Sequence, residues 1–383
     1  MSLPAPSPSN VQAVVRFATE LRNLAISGLA RMYRPEDGLF AFRVRRRGEE
    51  LLLEGSSHRY TAIALIGLAG EEEPVQASVL AGIGAREACA RLIGQLDRLE
   101  NLGDVALVLW AACAAGHRDR RSAAERLLAL QPDEEAHPTV EVAWTLAALC
   151  ADLDAPVGAL RNRLARRLIA AFEPRSGMFP HDLGGKRGGL RGHVCCFADL
   201  VYPLHALAWY AELFSDAEAL ETAVGCAGAI CASQGPDGQW WWHYDRRSGE
   251  VVERYPVYAV HQDAMAPMAL FALESAAAIG AHSAIARGLG WLAHAPELES
   301  GSLIDERAGL IWRKVARREP AKLSRYAQAA ASRLHPALRI PGLDILFPPR
   351  VVDHEDRPYH LGWLLHAWPA ARAVQWDERA ITQ

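Results

Sequence analysis

Two kinds of helical pattern alternate along the chain. In the first, apolar residues run nearly all the way round, rich in Ala and Leu and usually carrying a Trp. Such runs begin near Arg59-Tyr60-Thr61, Leu102-Gly103-Asp104, Thr139-Val140-Glu141, Phe197-Ala198-Asp199, His261-Gln262-Asp263 and Pro358-Tyr359-His360. A helix that is hydrophobic on every side is buried on every side. In the second kind, Arg and Glu mark one face only: residues 11–33, 86–99, 120–130, 159–172, 217–233, 283–293 and 321–334. These amphipathic segments are expected to form an outer layer around the buried ones.

Between the helices a glycine loop recurs. Asp37-Gly38-Leu39-Phe40-Ala41-Phe42 leads to Arg46-Arg47-Gly48-Glu49, and Asp237-Gly238-Gln239-Trp240-Trp241-Trp242 leads to Arg246-Arg247-Ser248-Gly249-Glu250. Ser176-Gly177-Met178-Phe179-Pro180 with Lys186-Arg187-Gly188 is a third copy, and Ala308-Gly309-Leu310-Ile311-Trp312 a fainter fourth. Each predicts a short β-hairpin, because Gly supplies the positive φ that tight turns require. Six helix pairs of roughly sixty residues each describe an all-α fold, an (α/α)6 toroid of six helical hairpins with short β-hairpin insertions. One domain then covers residues 11–383, after a Pro/Ser-rich stretch, 1–10, expected to be a disordered tail. The inner helices start together at one end of such a ring. Their unpaired N–H groups and partial positive charge make that mouth favourable to anionic or oxygen-rich ligands.

Charge and composition narrow the function classes. Across 383 residues, 41 basic and 45 acidic side chains give a net charge of −4, so no global positive field draws in nucleic acid or an anionic membrane. No nucleic-acid partner is expected, and no apolar run reaches the ~20 residues of a membrane span. The start lacks a basic n-region and an apolar core, and the seven scattered cysteines read as reduced, buried thiols. Both point to a cytoplasmic location.

The polar residues assigned to the mouth supply the candidate chemistry. His261 is the first candidate acid or base, since imidazole titrates near ~6.5. Asp263 accompanies it, either in the chemistry or as a helix N-cap. Tyr258, Tyr202 and Asp199 are the expected groups opposite. Arg59 and Arg357 are expected to hold an anion, with His58, His193, His360 and Glu141 completing the polar lining. Arg43, Arg45, Arg46, Arg47, Lys186, Arg187, Arg191, Arg246 and Arg247 sit at hairpin tips, either solvated or converging as a basic collar. If Trp240 to Tyr244 is a strand, Trp240, Trp242 and Tyr244 face one way and Trp241 and His243 the other. Trp241 or Trp242 is then available to stack on a pyranose or an isoprenoid chain. His193, Cys195 and Cys196 with His261 or His360 could in principle gather a zinc ion, but adjacent cysteines rarely chelate one ion in a helix. No metal and no cofactor are expected. No P-loop, dinucleotide fingerprint, G-x-S-x-G or H-E-x-x-H string occurs.

Gln234-Gly235-Pro236-Asp237-Gly238-Gln239-Trp240 resembles the Q-x3-G-x-W repeat of squalene–hopene cyclases and related terpenoid-cyclase toroids. That resemblance implies the toroid, with a structural role for the repeat. The D-x-D-D acid motif of class II cyclases is missing, Asp152-Leu153-Asp154-Ala155 being the nearest string. Asp356-Arg357-Pro358-Tyr359-His360 resembles the histidine segment of protein prenyltransferase β-subunits, without their D-x-C partner. Tyr258-Ala259-Val260-His261-Gln262-Asp263-Ala264-Met265-Ala266 resembles the inner-helix start of glucuronyl C5-epimerases. The string from Trp240 through Leu270 also resembles toroid proteins associated with bacterial polysaccharide biosynthesis. Together these imply an enzyme acting by acid–base chemistry on an acidic or diphosphate-linked saccharide, as epimerase, lyase or hydrolase. An isoprenoid cyclase or prenyltransferase is the alternative, and a non-catalytic glycan- or lipid-binding scaffold the third reading. Oligomeric state is left open.

Overall fold

The computed structural model describes residues 11–154, 157–184, 189–319, 323–372 and 376. The expected tail, 1–10, and the hairpin-tip residues Lys186 and Arg187 lie outside the described residues.

Outer helix α1 (Val11–Met32) passes through strands Tyr33–Arg34, Leu39–Arg47 and Glu50–Ser56 into inner helix α2 (His58–Leu68). Helices α3 (Glu73–Val79) and α4 (Ala85–Ile93) precede inner α5 (Leu102–Ala114). The pattern continues with outer α6 (Arg121–Ala129) and inner α7 (Thr139–Ala151), then outer α8 (Gly158–Ala171) and inner α9 (Ala198–Phe214). After outer α10 (Ala217–Ala232), a π-helical turn, His261–Met265, runs into inner α11 (Ala266–Ala277). Outer α12 (His282–His294) is followed by an excursion containing α13 (Leu323–Leu334) and α14 (Leu343–Leu346), and inner α15 (Pro358–Ala367) completes the ring. The fold is therefore the all-α toroid of six helical hairpins with small β-hairpins.

Each inner helix packs on the next, and α15 returns to α2, so the ring closes. Apolar composition explains the burial: every residue from Val105 to Ala112 in α5 is at most 2% exposed. Glycine explains how closely the ring shuts. A Cβ on Gly67 would lie 2.2 Å from the Gly362 carbonyl oxygen, and one on Gly362 only 2.6 Å from that of Ile63. The seventh amphipathic segment is not a ring helix: α13 lies outside and packs on strand Val251–Glu253. Among the described residues, no helix is long and apolar enough to cross a membrane.

Further down the inner helices, Trp110, His205, Trp209, Trp363 and His366 form one ring cluster, with Trp110 5.3 Å from Trp363 and 5.5 Å from His205. Aromatic bulk thus fills the axis. At the other end the loops knit together: Val44 pairs with Asp356, Cys196 with His243, and Lys314 with both Tyr258 and Asp353. Gln234 serves this framework, donating to the carbonyls of Gly238 (2.8 Å) and Ala284 (2.9 Å), so it ties the end of α10 to the glycine loop and to α12.

Candidate functional site

Side chains at the inner-helix starts touch one another around the ring. On α2 and α5, Arg59 donates to Asp104 (2.5 Å) and to Asn101 (2.7 Å), and its guanidinium lies 5.4 Å from the Trp144 ring centre. Asn101 donates to Glu141 (2.8 Å) at the start of α7. Gly103 makes this approach possible, since a Cβ there would come within 2.9 Å of both Glu141 and Trp144. Tyr202 of α9 meets Trp144 edge-on at 5.0 Å, and burial drives its hydroxyl pKa well up, helped by Tyr359. His58 stands at the rim, 2.8 Å from Gln95.

On the adjoining arc, beside Arg59 on α2, Phe42 stacks on Tyr60 at 5.2 Å and Tyr60 meets Tyr359 at 4.9 Å. Arg357 lies 4.6 Å over Phe42 and donates to the Tyr60 hydroxyl at 2.9 Å. Arg43, Arg45, Arg313 and Arg357 all converge on Glu355. Burial raises that carboxyl's pKa, but Arg313 and Arg357 outweigh it and bring it down to about 2. Arg43 is shared with Glu54, and Lys314 pairs with Asp353, so Arg43, Arg45, Arg313, Arg357 and Lys314 face three carboxylates and the arc stays cationic. Arg313 and Lys314 also stand 5.2 and 5.4 Å over Tyr258, which Trp242 meets edge-on at 5.0 Å. Arg325 covers Trp242 at 4.2 Å.

Between these arcs lies the start of α9. Asp199 is fully buried, accepts the Cys196 backbone N–H at 2.7 Å, and faces His181 Nδ1 at 2.9 Å. The His181 side chain is 49% exposed, so the pair joins a buried carboxylate to a ring that reaches solvent. Among the described residues, His181, Cys196 and Asp199 form one group of possible metal ligands, their donor atoms within 4.8 Å of one another.

Several expected residues lie elsewhere. His261 is buried, packed 4.6 Å from Phe197, with Nδ1 3.4 Å from the Trp240 carbonyl oxygen. Burial pulls its pKa down to about 3, which leaves it neutral. Asp263 does not cap a helix. It faces His360 Nε2 at 2.9 Å inside the wall of the ring. His193 is held by Ser332 of α13 at 2.9 Å, and burial lowers its pKa. Trp241 is buried against Gly235 and meets Tyr255 at 6.0 Å, whereas Trp242 is the partly exposed member of the run. The strand begins only at His243, so the three tryptophans do not alternate as strand residues. The collar arginines are largely committed to ion pairs, Arg46 with Asp305 and Arg247 with Asp245 among them.

Sequence reasoning passed over His181, Arg313 and Lys314. His181 had one signal: it directly follows the third glycine loop, Ser176 to Pro180, whose counterparts supply aromatic residues to the same end of the ring. Arg313 and Lys314 likewise follow the fourth loop, at Trp312.

No family model matches the chain, and no curated protein matches it. Solved structures do. A heparin-specific unsaturated glucuronyl hydrolase superposes with a TM-score of 0.61 at 13% identity, over 94% of this chain and 98% of that one. The unsaturated glucuronyl hydrolase of Bacillus sp. GL1 gives 0.59 at 13% identity with the same coverage. A sugar epimerase from a ruminal bacterium gives 0.61 at 11% identity, over 92% and 98%. At such identities the likeness is one of fold, and it makes the chain an (α/α)6 toroid over nearly all its length.

Proposed function

We propose that this protein is a carbohydrate-active enzyme that holds an acidic saccharide at the mouth of the ring and acts on it by acid–base chemistry. The observation that carries this reading is the pairing of cations with aromatic faces on one arc: Arg357 over Phe42, and Arg313 and Lys314 over Tyr258. A uronate presents an apolar sugar face and a carboxylate together, and needs an aromatic wall beside a cation. Arg59, next to Tyr60 on α2 and lying over Trp144, extends the same chemistry, with Glu141, His58 and Trp242 available to sugar hydroxyls. The acid–base pair is His181 with Asp199, the buried carboxylate fixing the ring and the imidazole exchanging the proton. Tyr258 is the candidate proton donor opposite. His261 and Tyr202 are wall residues in this account, and Asp263 with His360 is a buried strut. Hydrolase- and epimerase-named structures of the same fold support a sugar substrate, although fold likeness alone does not fix chemistry. The similarity of Trp240 through Leu270 to polysaccharide-associated toroids supports a biosynthetic setting.

The test is a thermal-shift screen with uronate oligosaccharides, neutral oligosaccharides and prenyl diphosphates, since specific ligands stabilise by mass action. Uronates are expected to raise the transition, and Arg357→Met or Lys314→Met to abolish that rise. A shift confined to prenyl diphosphates, or an unchanged uronate response in both variants, overturns the reading.

A further inference from the structure

We infer that His181, Cys196 and Asp199 form a binding site for one divalent transition-metal ion of the zinc class, open to the mouth of the ring. The three donors are an imidazole nitrogen, a thiol sulfur and a carboxylate oxygen, all within 4.8 Å of one another. Zinc is borderline-soft and takes this N, S and O mixture readily. Bonds of ~2.0–2.3 Å around a tetrahedral ion set donor atoms roughly 3.3–3.8 Å apart. His181 Nδ1 and Asp199, now 2.9 Å apart in hydrogen-bond contact, would part slightly to admit the ion, and no pair of donors lies more than 4.8 Å apart beforehand.

Charge balance favours a divalent ion. A thiolate and a carboxylate together carry −2, and a neutral imidazole adds none, so the ion is neutralised without a further counter-ion in a site whose carboxylate is fully buried. Binding releases the thiol proton to solvent, and the imidazole proton shifts from Nδ1 to Nε2, which frees the Nδ1 lone pair for the metal and keeps the ring neutral. No bond is oxidised or reduced. The half-exposed His181 leaves the outer side of the site accessible to water or ligand.

The donors sit on fixed backbone. His181 follows Pro180 in a turn that Thr139 grips twice, its N–H on the His181 carbonyl at 2.9 Å and its hydroxyl on that of Pro180. Cys196 ends a strand paired to His243, and Asp199 opens α9. Such anchoring limits the entropy lost when the ion binds.

Ion binding itself stands independently of the saccharide reading. Its consequence for activity rests on that reading: an ion held by Asp199 and His181 removes the acid–base pair, so zinc-class ions inhibit the enzyme by occupying its proton-transfer groups.

The test uses the full chain, dialysed against a chelator and titrated with cobalt(II), then zinc. One cobalt per chain is expected, with a thiolate-to-cobalt charge-transfer band that zinc abolishes. Cys196→Ser should lose the band, and His181→Ala and Asp199→Asn should each weaken binding by at least about tenfold. Circular dichroism checks that each variant is folded, and the milder His181→Gln replaces His181→Ala if that variant is not. Absence of the band, or its survival in Cys196→Ser, overturns the inference. Loss of the cobalt site with uronate binding intact sinks the metal alone, whereas a cobalt site without any saccharide binding sinks the function reading alone.

Discussion

His360 Nε2 stands 2.9 Å from both carboxylate oxygens of Asp263, joining the last inner helix to the π-turn that opens the fifth. Asp356, one turn earlier, lies 3.8 Å from the other ring nitrogen, so two buried carboxylates flank one imidazole. Burial raises both carboxyls, Asp356 to about 7, and this outweighs the pull of His360. Burial works against the imidazolium, but the two acids win and raise His360.

These shifts fix a sign for stability. A carboxyl whose folded pKa is raised contributes its stabilisation below its ordinary value of 3.8 and loses it as pH rises through about 7. Relative to the parent chain, Asp356→Asn is expected to gain stability by up to ~1.4 kcal/mol per pH unit across that window, then to level off. Urea unfolding at a series of pH values measures it, and a difference that does not vary with pH contradicts the assignment.

Ring closure predicts a second effect. Gly362 faces the α2 backbone so closely that a methyl group would meet the Ile63 carbonyl at 2.6 Å and the Ala64 Cα at 2.7 Å. Backbone cannot rotate away as a side chain can, so Gly362→Ala should destabilise the ring by roughly 1–3 kcal/mol or more. A thermal midpoint equal to that of the parent would show that α2 and α15 can part at no cost.

Gln234 gives a third. It reaches Gly238 and Ala284 with its amide nitrogen and accepts from Arg287 at 3.0 Å with its oxygen. Gln234→Ala removes these bonds and should cost roughly 1–3 kcal/mol, while uronate binding at the mouth stays unchanged. Loss of saccharide binding in a variant that is still folded would instead tie the repeat to function.

Much of the ring was legible because its inner helices carry Ala and Leu on every face, a pattern that survives any detail of packing. The extra amphipathic segment, 321–334, misled because one-sided polarity says only that a helix lies at a surface, not at which one. Trp241 illustrates the same limit. Its burial follows from Gly235 leaving room for the indole and from the strand starting two residues later. The candidate site was half visible: Asp199, Arg59 and Arg357 stand at inner-helix starts, where helix geometry puts them. His181 reaches Asp199 across a loop, and Arg313 reaches Glu355 through strand pairing, and neither relation has a period that spacing reveals. His261 stands at a helix start too, yet Phe197 covers it.

Buried histidines set the acid limb of stability. Burial brings His205 and His261 down to about 3 and His366 to about 4, with His366 and Arg372 adding to the effect on His205. Each therefore stays neutral in the folded ring while its unfolded counterpart takes up a proton near ~6.5. A depressed folded pKa means stabilisation that is full above the unfolded value and lost as pH falls through the folded one. This trend opposes that of Asp356 over the same range, so the two are separated only by variants. His366→Phe keeps an aromatic ring against Trp110 and Trp363 and removes one titrating group. Its stability relative to the parent should improve as pH falls from about 6.5 to about 4, by up to ~1.4 kcal/mol per unit. Proton NMR supplies the direct check: the ring signals of His205, His261 and His366 should not move between about pH 5 and 8. A His261 signal with a midpoint in that range would return this residue to the candidate bases and place it within reach of solvent.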